Sequence, residues 1–249
     1  MRFTKMEGLG NDFVVLQGPR PIGAEDVRRL CDRRRGVGAD GVLVVSPIDA
    51  KRIRMQYWNA DGSPAELCGN GMRCAAAFAV DRALVEASEF TVETAAGPRE
   101  ARVGEDAITV ELGTVRVATE KRRVSGEMVR EVTVGNPHVV LQVPGICEAA
   151  VATLGPSIEA AFEDGVNVEF LSVRSPGLLE LRVWERGVGE TLACGTGAAA
   201  AAAAARVEGL AGSETMVRLP GGDLNVLLDG DRAWISGPAA FVYEGEWRD

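Results

Sequence analysis

One segment occurs twice in this chain. Residues 67–79 read "LCGNGMRCAAAFA" and residues 193–205 read "ACGTGAAAAAAAA", so Cys68 and Cys194 lie 126 positions apart, about half of the 249 residues. With that offset held, "IRMQYWNADGSPAELCGNG" (53–71) lies over "LELRVWERGVGETLACGTG" (179–197). Trp58 falls on Trp184, Gly69 on Gly195 and Gly71 on Gly197. A second landmark, "GNDFVVL" from Gly10 over "GNPHVVL" from Gly135, keeps nearly the same offset, 125. Two landmarks in one register make the chain two copies of one unit, so its fold must be one that can be built twice.

The repeat organises the secondary structure. "RIRMQYW" and "LELRVW" alternate polar and apolar residues, the period of a half-buried strand. "NADGSP" and "RGVGE" read as loops, and Cys-Gly-x-Gly then opens a helix in each copy. "FTVETAAGPREARV", "AITVELGTVRV", "EMVREVTVG", "TMVRLPGGDLNVLL" and "AWISGPAAFVY" read as further strands and hairpins. "AEDVRRLCDRR" reads as an exposed helix with Val27, Leu30 and Cys31 on one side. The run Ala198 to Ala205 is a helix by propensity. It has no polar face, so it belongs inside the protein, where its small side chains let strands approach closely. The fold expected is α+β, with two pseudo-symmetric halves, each a mixed sheet wrapped around a central Ala-rich helix. Residues 1–116 carry Cys68 and residues 117–238 carry Cys194, with the active site in the cleft between them.

Composition narrows the function. A formal charge of −9 and the lack of a basic patch with interleaved aromatics argue against nucleic acid. The longest apolar run is too short to span a bilayer. "MRFTKMEGLGNDFVVL" has no apolar signal core with a cleavage site, so the expectation is a soluble, cytoplasmic protein. Five thinly spread cysteines are not a disulfide framework. With His138 the only histidine and no paired C-x-x-C, no zinc site is expected. Cys31, Cys74 and Cys147 read as small buried hydrophobes.

Cys68 and Cys194 read differently. A cysteine at a helix N-terminus faces unpaired backbone N–H groups and the positive end of the helix dipole. Both favour the thiolate and predict a lowered pKa. The glycines that follow expose N–H groups able to hold a carboxylate or a developing oxyanion. Two such sites suit inversion of a carbon next to a carboxylate. One cysteine removes the α-proton as thiolate, and the other delivers a proton from the opposite face as thiol. That chemistry needs no cofactor.

The chain resembles the diaminopimelate epimerase family from end to end. The resemblance is carried by "MRFTKMEGLGNDFVV", "GVGADGVL", "YWNADGSPAELCGNGMRC", "VTVGNPHVV", "GVNVEF", "ERGVGETLACGTGA", "VRLPGGDLNV" and "GPAAFVYEGE". It implies a cofactor-independent isomerase that interconverts LL- and meso-2,6-diaminopimelate for lysine and peptidoglycan precursors. It makes Cys68 and Cys194 the acid/base pair. Gly69, Asn70, Gly195 and Thr196 then serve the carboxylate at the reacting centre. Asn11, Asn59, Asn136, Asn167, Glu185 and Arg186 hold the substrate, with His138 as a supporting neighbour. Family members are often homodimers, and the resemblance suggests that residues 239–249 complete the first half. Gly41 stands where some members carry a substrate-touching glutamine, so no contact is carried over there. The alternative is a two-cysteine racemase of another amino acid, of histidine or proline type. A phosphate-binding module fits worse, because the sequence has neither a P-loop nor a GxGxxG opening a βαβ unit.

Overall fold

The computed structural model describes residues 1–248. The first copy of the repeat runs β1 (Arg2–Gly8), β2 (Asn11–Gln17), α1 (Ala24–Cys31), β3 (Gly41–Asp49), β4 (Arg52–Asn59), β5 (Pro64–Ala65), α2 (Gly69–Asp81), β6 (Glu89–Thr94), β7 (Gly97–Val103) and β8 (Ile108–Val124). The second runs β9 (Glu127–Val134), β10 (Asn136–Gln142), α3 (Val151–Glu159), β11 (Asn167–Ser175), β12 (Leu178–Glu185), β13 (Gly189–Thr191), α4 (Gly195–Val207), β14 (Glu214–Leu219), β15 (Gly222–Asp229) and β16 (Arg232–Gly237), followed by β17 (Ala240–Glu246). The two copies match element for element. Their contacts form two compact units: Met1–Val110 with the chain from Gly237 onward, and Glu111–Ser236.

In the first unit the strand order is β17-β1-β2-β3-β4-β6-β7-β8. Only β2–β3 and β4–β6 are parallel. Those are the two connections that pass through a helix, α1 and α2, as a crossover requires. In the second unit the order is β8-β9-β10-β11-β12-β14-β15-β16, parallel at β10–β11 and β12–β14. β16 also pairs with β8, which closes the strands into a ring. β8 serves both sheets: Ile108 to Val110 pair with β7, and Val115 to Val124 with β9.

Each sheet wraps its own helix. α2 packs against β1, β2, β3, β4 and β7, and α4 against β9 to β12, β14 and β15. Every residue from Gly69 to Ala79 and from Gly195 to Ala205 is buried. Glycine and alanine keep the helix narrow enough for strands to close around it, as the alanine run predicts. The α+β class and the helix-in-sheet architecture therefore hold. No helix among the described residues is long and apolar enough to cross a membrane.

Two readings need correction. Cys147 is exposed rather than a core hydrophobe. It lies between β10 and α3, in a turn with no strand or helix face to bury it. The reading of "AITVELGTVRV" as an ordinary strand is also too short, because β8 runs for 17 residues.

The hairpins position the site. β1 and β2 are joined by Leu9 and Gly10, both at positive φ (56° and 83°), the signature of a two-residue type I′ turn. This fixes Asn11 as the first residue of β2, opposite Gly8. Between β9 and β10 a single Gly135 at φ 77° suffices, with Asn136 opposite Val134.

Candidate active site

Cys68 is the N-cap of α2, in extended backbone conformation, and its Sγ accepts from the Gly71 N–H at 3.4 Å. The thiol faces Asn11 Oδ1 at 3.6 Å, and Asn70 Nδ2 approaches the same oxygen at 3.5 Å. Asn11 is oriented from behind, because its Nδ2 donates to Asp40 Oδ2 at 2.8 Å. Asp40 and Asp12 are in turn bridged by Arg33, and Asp12 pairs with Lys5 at 2.6 Å. Burial alone would raise the Asp12 carboxyl, but hydrogen bonds from Arg33 and Lys5 hold it well below the usual carboxylate range. Asn59 ends β4 beside these groups in sequence but bonds Ser63 Oγ at 3.0 Å.

A residue that the sequence reading passed over completes this site. Arg73 lies in the second turn of α2 and is fully buried. Its guanidinium bends back to Asn70 Oδ1 (3.0 Å) and Gly69 O (3.4 Å), and Nε donates to Pro238 O (3.1 Å). All three acceptors are neutral, so the cation has no counter-ion among the described residues. Burial lowers its pKa, and the field of the neighbouring thiols Cys74 and Cys68 opposes that shift. The signal was present in the sequence: one arginine in a helix otherwise made of small and apolar residues.

The second unit repeats the cap geometry. Cys194 is the N-cap of α4, and its Sγ accepts from Gly197 N–H at 3.4 Å. Thr196 Oγ1 lies 3.4 Å from the sulfur. The surroundings differ from those of Cys68. The Glu185 carboxylate takes a hydrogen bond from Thr191 and its charge bears on the Cys194 thiol, while burial raises its pKa. His138 Nδ1 is 2.7 Å from Glu169 Oε1, and Nε2 is 2.8 Å from Asn136 Oδ1. Both ring nitrogens thus face oxygen atoms, an arrangement satisfied when both carry protons. Glu169 is wholly buried and its second oxygen has no partner. Asn167 holds the strand ends together: Nδ2 donates to Pro137 O at 3.0 Å, and Oδ1 accepts from the Arg186 N–H at 3.0 Å. The exposed Arg186 guanidinium reaches Asp164 O at 3.2 Å.

The expected lowering of both thiols does not hold for Cys194. Burial pushes this thiol well up, and Glu185 and Glu169 add to it, outweighing Thr196 and the Gly197 N–H. A helix N-terminus contributes only partial charge, which complete burial overrides. Glu169 was also missed in the sequence. It is an acid inside the apolar run "VNVEFLSV" of β11, buried on both faces.

Around each cysteine the structure gathers most of the residues named from sequence. In the first unit these are Cys68, Gly69, Asn70 and Asn11. In the second they are Cys194, Gly195, Thr196, Glu185, His138 and Asn136. No cluster of histidine, cysteine and carboxylate groups suited to a metal ion occurs among the described residues.

The diaminopimelate epimerase family matches at residues 3–118 and 131–242. The diaminopimelate epimerase of Alkalilimnicola ehrlichii is 44% identical, with 100% of this chain and 99% of that protein covered. That of Desulforudis audaxviator is 42% identical over 99% of each. Among solved structures, a Bacillus anthracis phenazine biosynthesis protein of the PhzF family superposes with a TM-score of 0.78 at 16% identity, covering 100% and 99% of the two chains. A hydroxyproline epimerase from Agrobacterium vitis gives 0.75 at 17% identity, covering 98% and 91%. These two likenesses concern the fold. The family match across nearly the whole length, with relatives above 40% identity, establishes that the chain belongs to the diaminopimelate epimerase family.

Proposed function

We propose that this protein interconverts LL- and meso-2,6-diaminopimelate, one of Cys68 and Cys194 removing the α-proton and the other delivering its own proton to the opposite face. The observation that carries the reading is the duplicated cap. In each unit a cysteine starts a buried helix, and the N–H two residues into the following Gly-x-Gly points at its sulfur at 3.4 Å.

The steps follow from these groups. One cysteine, as thiolate, takes the α-proton as the C–H bond breaks. The electron pair moves into the α-carbon and its carboxylate. The other cysteine, as thiol, gives its proton to the opposite face, and the configuration inverts. Charge gathers on the carboxylate oxygens in the transition state. Backbone N–H groups of Gly69, Asn70, Gly195 and Thr196 at the two helix starts are suited to meet it without reorganising. The rest of the substrate carries an ammonium and a carboxylate. Glu185 is suited to the former and Arg186 to a bidentate hold on the latter. Asn11, Asn59, Asn136 and Asn167 supply neutral donors and acceptors, and His138 orients Asn136. An enzyme of this pathway is expected in the cytoplasm. The exposed apolar row Phe241, Val242 and Tyr243 on β17 supports a homodimer.

The test is proton NMR of LL-diaminopimelate with the reduced protein in heavy water. Loss of the α-proton signal as the meso isomer appears is the expected result, abolished by Cys68→Ser or Cys194→Ser. Exchange on proline or histidine, with none on diaminopimelate, would overturn the substrate and keep the two-thiol mechanism.

A further inference from the structure

The two thiols sit in matched backbones but unmatched fields. With the repeat in register, Arg73 corresponds to Ala199, Leu43 to Glu169 and Asn59 to Glu185. Each of these three differences changes a charge, and all three have the same sense. The Cys68 side has a cation where the Cys194 side has a methyl group. The Cys194 side has two carboxylates where the Cys68 side has a leucine and an amide.

We infer that the resting enzyme is polarised, with Cys68 as the thiolate and Cys194 as the thiol, and that Arg73 and Glu169 are the positioning residues that set this polarity. The inference rests on the two-cysteine reading above. Arg73 bonds the two residues that follow Cys68 and has only neutral acceptors, so an adjacent anion is the charge its burial calls for. The other groups around Cys68 do not cancel it. Behind Asn11, Lys5 and Arg33 balance Asp12 and Asp40. Cys74 is a buried thiol whose pKa burial pushes well up, so it stays neutral. Glu7 makes no direct ion pair with Arg73; its charge acts at a distance, and its carboxylate accepts from the Gly10 N–H at 2.8 Å. Asn11 Oδ1 accepts from the Cys68 thiol at 3.6 Å, a long bond whose dipole is weaker than a full guanidinium charge.

Around Cys194, the buried Glu185 carboxylate adds a negative field that opposes ionisation of the thiol. Glu169 lies behind, against the first turn of α4. A Cβ placed on Gly197 would meet its Oε1 at 2.8 Å. His138 Nδ1 lies against the Glu169 carboxylate and offsets its charge at most once. The largest charges acting on this sulfur are the carboxylates of Glu185 and Glu169.

The consequence is directional. In the resting form only an α-proton presented to Cys68 can be removed. That step leaves Cys68 protonated and Cys194 ionised once its proton has gone to the α-carbon. The ionised Cys194 beside Glu169 and Glu185 then recovers a proton from water or from the opposite isomer, and Cys68 loses one.

Ultraviolet thiolate absorbance reads this without needing reagent access. Cys194→Ser reports Cys68 and Cys68→Ser reports Cys194, each after subtraction of the double variant, which removes Cys31, Cys74 and Cys147. Cys68 should titrate about one pH unit or more below Cys194. Adding Glu169→Gln should lower the Cys194 midpoint and leave Cys68 in place, and adding Arg73→Met should raise the Cys68 midpoint. Coincident or reversed midpoints in the single variants overturn the polarity even if Arg73→Met fails to fold. A Cys194 midpoint indifferent to Glu169→Gln removes Glu169 from the device. Heavy-water exchange on diaminopimelate separates the two ideas. Exchange with coincident midpoints refutes the polarity alone, and split midpoints without exchange refute the two-thiol reading alone.

Discussion

Gly71 and Gly197 occupy the same place in the two copies, the third residue of α2 and of α4, and each donates its N–H to the capping sulfur. Alanine at either position gains helix propensity, about 1 kcal/mol over glycine in a helix interior and less near the start. The gain is common to both, so a difference between the two variants reports the surroundings. A Cβ on Gly71 would meet Leu43 Cδ2 at 3.3 Å, Cys68 Cβ at 3.5 Å and Phe13 Cε1 at 3.5 Å. These contacts are tight, but a leucine methyl can turn aside. A Cβ on Gly197 would meet Glu169 Oε1 at 2.8 Å and the Cys194 Cβ and Sγ at 3.3 and 3.4 Å. Glu169 must then retreat by roughly 0.5 Å to restore ordinary contact. It is fully buried and held to His138 at 2.7 Å, so it has little room to do so.

Overpacking of this kind costs about 1–3 kcal/mol. Gly197→Ala should therefore be less stable than Gly71→Ala by about that amount, a gap of about 2–4 °C in melting temperature per kcal/mol for a protein of this size. Thermal unfolding followed by circular dichroism on both variants measures it. Gly197→Ala should also lose more epimerase activity, because the carboxylate it displaces faces Cys194. Equal melting temperatures, or a larger loss in Gly71→Ala, would refute the account of Glu169 as an immobile group behind the second helix.

Other perturbations probe the rest of the site. The Asp12 carboxyl is held below its ordinary value in the fold, so its contribution to stability is present above about pH 4 and is lost as pH falls below that. Asp12→Asn should be less stable than the unmodified protein by about 1–3 kcal/mol at neutral pH. That gap should narrow in urea titrations taken from about pH 5 down to pH 2, and a gap unchanged at pH 2 would mean that the charge is not responsible. Asp40→Ala removes the acceptor that fixes the Asn11 amide, so the side chain can turn its nitrogen toward Cys68. Losing one oriented hydrogen bond of about 1.4 kcal/mol should lower kcat/KM for diaminopimelate about tenfold, and unaltered kinetics would remove Asn11 from the substrate contacts. Gly155→Ala in α3 would place a Cβ 2.6 Å from Trp184 Cγ, in the strand that ends at Glu185. It should cost about 1–3 kcal/mol despite the better helix former, and a neutral urea midpoint would show that the ring can move aside.

The parts of the fold legible in the sequence are those where local pattern and tertiary role agree. The alanine run of α4 is both a strong helix former and uniformly small, and the structure buries it whole. Alternation in "RIRMQYW" and "LELRVW" gives β4 and β12 directly. α3 was not legible. Its sequence "VATLGPSIE" contains Gly-Pro, a turn signal, and no side chain caps its start. Gly155 is there because Trp184 leaves no room for a Cβ, and the helix persists across Pro156 because Val151 and Ile158 on either side of it pack in the core. Both facts belong to packing across the unit rather than to the segment itself. The partner of a strand is hidden for the same reason. Nothing local in "AFVYEGE" says that β17 pairs with β1, where Arg2 meets Glu246 across 244 positions, because the pairing is decided by which edge remains open.

The site divides along a different line. Comparing the two copies brings out what they share: the cysteine, the paired glycines and the helix. Identity between copies is thus a good guide to the backbone cradle, since both thiols need the same N–H at 3.4 Å. It is a poor guide to charge, because an inversion needs its two thiols in opposite states at any one moment. Arg73 over Ala199 and Leu43 over Glu169 are mismatches in the repeat, and each is a buried charge facing an apolar residue. A buried charge is costly unless something nearby makes use of it. In a duplicated enzyme whose halves act as acid and base, the positions where the copies disagree inside the core are therefore where the direction of proton flow is written.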